Sequence, residues 1–160
     1  MVGPVPDFGR ELLASAVEGT AAGEHPLRHV ADLPPRRART LTWPHWADPE
    51  LVQAFHDRGV DAPWSHQLAA ADFARDGRHV VLSTGTASGK SLAYQLPILT
   101  TLKDDPRARA LYLSPTKALG HDQLRSAAAL TSVVPGLADV APTPYDGDCP
   151  SEVRRFARER

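Results

Sequence analysis

The stretch HVVLSTGTASGKSLAYQLPIL, residues 79–99, decides the fold that the sequence predicts. It begins with a short apolar run, Val80 to Leu82, which favours a parallel strand covered on both faces. A loop of small residues follows, and then apolar residues at helical spacing. Strand, loop and helix in this order form a phosphate cradle, because the loop N–H groups and the positive end of the helix converge. We therefore expect this stretch to bind a nucleoside triphosphate.

The expected phosphate loop consists of Thr84, Gly85, Thr86, Ala87, Ser88, Gly89, Lys90 and Ser91. Lys90 would place a positive charge at the outer phosphates, and Ser91 would offer a hydroxyl to Mg²⁺, so these two residues are the expected catalytic groups. The strict pattern has Gly where Thr84 stands, and Thr fits that place if its φ is negative. The alternative is a chance Gly-Lys-Ser tripeptide that opens a helix. The preceding strand and the following helix argue against this alternative.

Composition limits the class of protein. The chain has 160 residues, a net charge of −1 and 42% hydrophobic residues, which allows one domain with a small leader. Its one cysteine, Cys149, implies no disulfide partner and makes no zinc site alone. No apolar run approaches the ~20 residues that span a membrane, and the N-terminus lacks the pattern of a signal peptide. We therefore expect a cytoplasmic chain with no membrane partner.

The sequence predicts a division near residue 45. Residues 1–45 form a proline-rich leader with a short helix around Asp7 to Val17. Residues 46–160 alternate helices with strands, which are expected at 80–82, 109–114 and 139–145. This alternation predicts an α/β fold with a parallel sheet flanked by helices.

Capping residues and apolar spacing place the helices of residues 46–160. Asp48-Pro49-Glu50 is a strong helix start, and Ser65 is the expected cap of a helix that ends at Arg75. The helix after the phosphate loop would bury Leu92, Leu96 and Leu99. Further helices are expected within 115–130 and from residue 151 to the last residue.

The segment LYLSPTKAL, residues 111–119, resembles the second signature of superfamily 2 helicases. In that family the signature holds the nucleic-acid backbone without reading bases, so the resemblance implies that Pro115, Thr116 and Lys117 contact nucleic acid. These residues follow a predicted strand, at the edge of the sheet where ligands dock. The alternative is an ordinary helix cap, Ser114 or Thr116, followed by a surface lysine. The position one strand–helix unit after the phosphate loop favours the signature.

The segment Trp64-Ser65-His66-Gln67 resembles the adenine-recognition element of DEAD/DEAH-type helicases. Gln67 precedes Lys90 by 23 residues, which is the usual separation in that family. A glutamine amide has both a donor and an acceptor for the edge of adenine. The resemblance thus implies ATP as the nucleotide and Gln67 as its reader. Trp64 would stack on the base, with core packing left as an equal alternative.

The segment YDGDCP, residues 145–150, resembles a narrower group, the mitomycin repair factor A type of bacterial repair helicases, which have RecQ-like character. In that group the phosphate loop reads very like TGTASGKS, and a PTKAL segment follows it. The resemblance covers residues 44–158 and implies a RecA-like P-loop NTPase fold. It also implies a role in DNA repair, with DNA favoured over RNA as the partner. Asp146 and Asp148 flank Gly147, which is typical of a turn rather than of a metal pair.

Helicases of this superfamily hydrolyse ATP with an Asp-Glu signature on a later strand, and no such strand is evident. After the phosphate loop, the glutamates are Glu152 and Glu159, both in a charged terminal helix. We therefore expect the N-terminal part of a longer helicase, with its first RecA-like domain incomplete and inactive in hydrolysis alone. Residues 80–82 would then lack a flanking strand and expose apolar groups. Two alternatives stay open: a self-contained small P-loop nucleotide kinase or NTPase, and a non-catalytic nucleotide- or nucleic-acid-binding module.

Overall fold

The structure is a computed structural model that describes residues 8–18, 20, 29–31, 39–85 and 88–159. Within these ranges it contains six helices: α1 (Phe8–Val17), α2 (Pro49–His56), α3 (Ser65–Arg75), α4 (Lys90–Asp104), α5 (Lys117–Thr131) and α6 (Ser151–Glu159). The chain divides into two compact units, Met1–Arg37 and Ala38–Arg160. None of the helices in the described ranges is long and apolar enough to cross a membrane.

The first unit contains α1, which matches the helix predicted in the leader. Its expected cap, Asp7, lies outside the described residues, as do most of the prolines of the leader. None of the side chains of α1 is buried. Helical propensity and apolar spacing therefore predict this helix correctly, although none of its side chains packs into a core.

In the second unit, α2 begins where the sequence predicts. The Asp48 carboxylate accepts the N–H groups of Glu50 and Leu51, both at 3.0 Å, and Pro49 takes the first helical position. Lys103, at the end of α4, pairs with Asp48 at 2.6 Å and also with Glu50. Burial by itself would raise the pKa of Asp48, but the hydrogen bonds from Lys103, Leu51 and Glu50 outweigh it and hold this pKa below its ordinary value. The start of α2 is thus tied to the end of α4.

The start of α3 differs from the prediction, because Ser65 is the first helical residue and not the cap. Trp64 precedes the helix, and its N–H group donates to Gln67 Oε1 at 2.7 Å. An isolated antiparallel bridge joins Trp64 to Thr40, and Ser65 N donates to the Arg39 carbonyl at 2.7 Å. The N-cap is therefore Trp64, and the side chain of Gln67, on the first turn of α3, reaches back to its N–H group as in one half of a capping box.

The core of the second unit lies between α2, α3 and α4 and the turn after α5. The face of α4 predicted from apolar spacing, Leu92, Leu96 and Leu99, is buried there. The other buried members are Ala47, Leu51, Ala54, Phe55, Leu68, Ala71, Leu130, Val134 and Leu137. Helix α3 packs against α4, and Gln67 on the first turn of α3 bonds to the Gly89 carbonyl at the start of α4.

The described residues contain no β-strand, so the predicted parallel sheet is not formed within this part of the chain. Residues 80–82, 109–114 and 139–145 lie between helices with no partner strand in the described ranges. Val81 is 94% exposed, and Leu111 and Leu113 are each 81% exposed. A strand needs a neighbour about 4.8 Å away to satisfy its backbone groups. Apolar, β-branched residues indicate where a strand would pair, but they do not supply the neighbour.

Candidate functional site

Lys90 opens α4, and its side chain folds back onto the predicted phosphate loop. Its ammonium group donates to the carbonyl oxygens of Thr84 at 2.9 Å and Gly85 at 2.6 Å, and to Ser88 Oγ at 3.4 Å. The hydroxyl oxygens of Thr84 and Ser88 lie 2.6 Å apart. A cation and two hydroxyls thus meet at the loop. Thr86 and Ala87 lie outside the described residues.

Gly89 connects the loop to α4 in the left-handed conformation, with φ of +64°. No side chain caps the start of α4, whereas Asp48 caps α2 and Thr116 caps α5. The first N–H groups of a helix need an acceptor, and the helix dipole adds about +0.5 charge at that end. With Lys90 beside it, this helix start fits a phosphate group, and the hydroxyl of Ser91 fits a hard cation held by that phosphate.

Gln67 is 5% exposed and lies against the loop. Its Nε2 donates to the carbonyl oxygen of Gly89 at 2.8 Å and to that of Ser88 at 3.5 Å, while its Oε1 binds the N–H group of Trp64. Both the donor and the acceptor of this amide are therefore engaged within the chain. A Cβ atom at Gly89 would stand 2.5 Å from Gln67 Nε2, so glycine permits this close approach.

His66 also contacts the loop, which the sequence analysis missed. Its Nε2 lies 3.1 Å from the carbonyl oxygen of Ser88 and donates when the proton is on Nε2. Trp64 is exposed, and its ring meets the His66 ring edge-on at 5.5 Å. The alternative of core packing therefore does not describe Trp64. The start of α3 and the phosphate loop form one connected group of residues.

Pro115, Thr116 and Lys117 are exposed at the start of α5. Thr116 Oγ1 accepts the N–H group of Leu119 at 3.3 Å, so Thr116 is a helix cap, as the alternative interpretation stated. A hydroxyl that accepts this bond still has a proton to donate, so capping is compatible with a phosphate contact. The ammonium of Lys117 pairs with Asp148, and this hydrogen bond raises the pKa of Lys117.

The turn predicted around Gly147 is present and lies against α5. Asp146 Oδ1 accepts the N–H groups of Asp148 at 2.9 Å and Cys149 at 3.1 Å, and the Cys149 thiol at 3.3 Å. The bond from the Asp148 N–H group, together with that from the thiol, lowers the pKa of Asp146. Its Oδ2 lies 3.5 Å from His121 Nε2. Among the described residues, no group of three His, Cys, Asp or Glu side chains is arranged to hold a metal ion.

Comparisons with known proteins show which family the chain resembles. A family model described as DEAD/DEAH box helicase matches residues 64–155. The chain is 36% identical over 129 residues to the uncharacterized ATP-dependent helicase YprA of Bacillus subtilis, covering 80% of this chain and 17% of YprA. It is 40% identical over 106 residues to the ATP-dependent helicase hrq1 of Schizosaccharomyces pombe, covering 66% of this chain and 10% of hrq1.

Solved structures give a similar result. The crystal structure of the DUF1998 helicase MrfA bound to DNA matches with a TM-score of 0.73 and 36% identity, over 79% of this chain and 18% of MrfA. The structure of MrfA bound to DNA and AMPPNP matches with a TM-score of 0.69. The chain thus spans less than a fifth of the length of these relatives.

Proposed function

Since this chain belongs to the DEAD/DEAH box helicase family, we propose that it is the ATP-binding part of a motor that acts on DNA during repair. The family match and the MrfA structures give it a P-loop helicase fold. The relatives are named ATP-dependent helicases, and two of the MrfA structures hold DNA. The names of the relatives support ATP as the nucleotide, and the MrfA structures bound to DNA favour DNA over RNA as the nucleic acid.

The observation that carries the proposal is the position of Lys90 at the uncapped start of α4. When a triphosphate enters, its oxygens replace the carbonyl oxygens of Thr84 and Gly85 as partners of the ammonium group. The positive end of α4 then faces the same phosphates. Ser91, on the first turn of α4, would hold Mg²⁺ through its hydroxyl. A single hydroxyl from the chain would be compatible with Mg²⁺, because this cation is held by few protein ligands at phosphate sites.

The base would lie at the start of α3, where Gln67 and the exposed Trp64 are found. To read adenine, the Gln67 amide would exchange a carbonyl partner of Nε2, at Ser88 or Gly89, for the edge of the base, while Oε1 has a second lone pair beyond its bond to Trp64. Base recognition is thereby coupled to a change at the loop. Trp64 has an exposed aromatic surface on which a base stacks.

The nucleic-acid backbone would lie at the start of α5. Thr116 donates its hydroxyl proton to a phosphate oxygen, Pro115 shapes the entry to the helix, and Lys117 supplies the positive charge. Contacts of this kind do not read the sequence of the bases, which suits a motor that moves along many sequences.

We also propose that these 160 residues alone bind ATP without hydrolysing it. Hydrolysis needs an Asp to hold Mg²⁺ and a Glu to activate water in this family. After the phosphate loop the glutamates are Glu152 and Glu159, which both lie in α6, and the sequence contains no Asp-Glu pair. ATP turnover by the purified chain would contradict this part of the proposal, and transfer of phosphate to a nucleotide would favour a kinase instead.

A paired experiment tests the two sites. Nucleotide binding is measured with a fluorescent ATP analogue, and DNA binding with labelled oligothymidine, in the wild-type chain and in Lys90→Ala and Lys117→Ala. We expect Lys90→Ala to weaken nucleotide binding about tenfold or more while DNA binding persists, since a charge-assisted contact is lost. Lys117→Ala should do the reverse, and each variant is the control for the other. Unlabelled GTP that competes as well as ATP would refute the role of Gln67.

A further inference from the structure

Two basic side chains of α5 face two carboxylates of the turn formed by residues 146–149, here called the acidic turn. Lys117 and His121 are four residues apart and therefore lie one above the other on α5. Lys117 pairs with Asp148, and His121 lies 3.5 Å from Asp146. The acidic turn thus lies beside Lys117 and His121, on the side of α5 on which the phosphate contact is proposed.

We propose that the acidic turn is an internal competitor for nucleic acid, in which the carboxylate of Asp148 occupies the phosphate position at Lys117. This inference rests on the proposed contact between Lys117 and a backbone phosphate. A carboxylate and a phosphate present similar oxygen acceptors to an ammonium group, so both cannot hold the same N–H donors at once. Binding of DNA then requires Asp148 to release Lys117.

The acidic turn keeps its shape without the carboxylate of Asp148. Asp146 organises the turn by accepting two backbone N–H groups and the thiol of Cys149, which is buried. Asp148 contributes its own N–H group to this arrangement, while its carboxylate points to Lys117. The change Asp148→Asn therefore removes the competing charge and retains the turn.

The exposure of the pair explains why the competition is reversible. The side chain of Lys117 is 55% exposed and that of Asp148 is 79% exposed. An ion pair that is this exposed contributes little net free energy to folding, because water stabilises the two separated charges almost as well as the pair does. A polyanion therefore displaces Asp148 from Lys117, but its phosphates then lie near the carboxylates of Asp146 and Asp148, which repel them. The acidic turn lowers affinity and shortens residence on DNA without abolishing binding.

The test is a double-mutant cycle on the whole 160-residue chain. Binding of labelled oligothymidine is measured by fluorescence anisotropy between 50 and 200 mM salt for the wild type, Asp148→Asn, Lys117→Gln and the double variant. We expect Asp148→Asn to tighten binding about two- to fivefold, the range of one exposed ion pair. In the Lys117→Gln background the same change should have no effect. Asp139→Asn, which removes one negative charge from another exposed loop, is the control for net charge.

The outcomes separate this inference from the proposed function. If Lys117→Gln weakens binding but Asp148→Asn does not tighten it, or tightens it no more than Asp139→Asn, the competition is refuted and the phosphate contact stands. If Asp148→Asn acts equally with and without Lys117, the effect is general electrostatics and the competition is again refuted. If Lys117→Gln changes neither affinity nor the salt dependence, the phosphate contact itself is refuted, and the competition with it.

Discussion

Gly89 combines a left-handed backbone conformation with a close approach of the Gln67 side chain. Its φ of +64° disfavours any side chain, and a Cβ would stand 2.5 Å from Gln67 Nε2. Gly59 has a similar φ of +81° but nothing within 4 Å of the same position. The two glycines therefore separate the cost of the conformation from the cost of the contact.

We predict that Gly59→Ala lowers the free energy of unfolding by about 1–2 kcal/mol, the cost of a left-handed alanine. Gly89→Ala should lose more than this and should also weaken ATP binding, because Gln67 must move from the loop. Urea unfolding and a nucleotide titration measure both effects. Equal losses in the two variants would contradict the proposed contact between Gln67 and Gly89.

At the phosphate loop and at the start of α5, the sequence predicts the types of the site residues but not the residues that they contact. The Gly-Lys-Ser tripeptide before a helix indicates the positions of Lys90 and Gly89, since this chemistry depends on local spacing. The contact of His66 with Ser88 spans 22 residues, and the pair of Lys117 and Asp148 spans 31. No local pattern encodes such neighbours, because tertiary packing brings them together. The role of each site residue in binding ATP or DNA stays a prediction.

Among the elements, helices follow from the sequence and the sheet does not. The helix start at Asp48-Pro49 and the buried face of α4 are confirmed, because caps and 3.6-residue periodicity act within one segment. The start of α3 differs from the prediction by one residue, since Trp64 rather than Ser65 is the N-cap and is held by the side chain of Gln67. The strands expected at 80–82, 109–114 and 139–145 are not formed within the described residues, because a strand depends on a partner elsewhere in the chain.

The link between α2 and α4 predicts how stability depends on pH. The pKa of Asp48 in the folded chain lies below its ordinary value, so folding favours the ionised form. Its contribution is full above the pKa of the unfolded chain and is lost as the pH falls through the folded pKa. We expect Asp48→Asn to be less stable than the wild type at neutral pH and to lose less stability on acidification.

Urea unfolding between pH 7 and pH 3 measures this dependence, with Asp139→Asn as the matched control on an exposed loop. An asparagine still caps a helix, so the variant isolates the charge that faces Lys103. If the wild type and Asp48→Asn lost stability in parallel as the pH fell, the pairing with Lys103 would have no part in acid sensitivity.

On the scale of the whole molecule, one set of apolar side chains is buried and another is open to water. Leu96 is fully buried between the helices, whereas Val81, Leu111 and Leu113 are more than 80% exposed. Exposed side chains add little to folding but provide surface for association between chains. Folding and solubility are therefore controlled by different residues.

We predict that the triple variant Val81→Thr, Leu111→Thr, Leu113→Thr associates less than the wild type at high concentration. Its free energy of unfolding should change by no more than about 0.5 kcal/mol per site, as for other surface substitutions. Sedimentation velocity and urea unfolding measure the two properties. Leu96→Ala is the contrasting variant and should lose about 2–5 kcal/mol. A large loss of stability in the triple variant would show that these side chains are packed.

The bonds that Lys90 makes to Thr84 and Gly85 have an energetic consequence for the proposed nucleotide site. These two carbonyl groups already satisfy the ammonium, so the phosphates would exchange hydrogen bonds rather than add them. The net gain in binding free energy at Lys90 is then smaller than for an unpaired cation. Between successive nucleotides, the same carbonyls would keep the charge of Lys90 solvated by the chain.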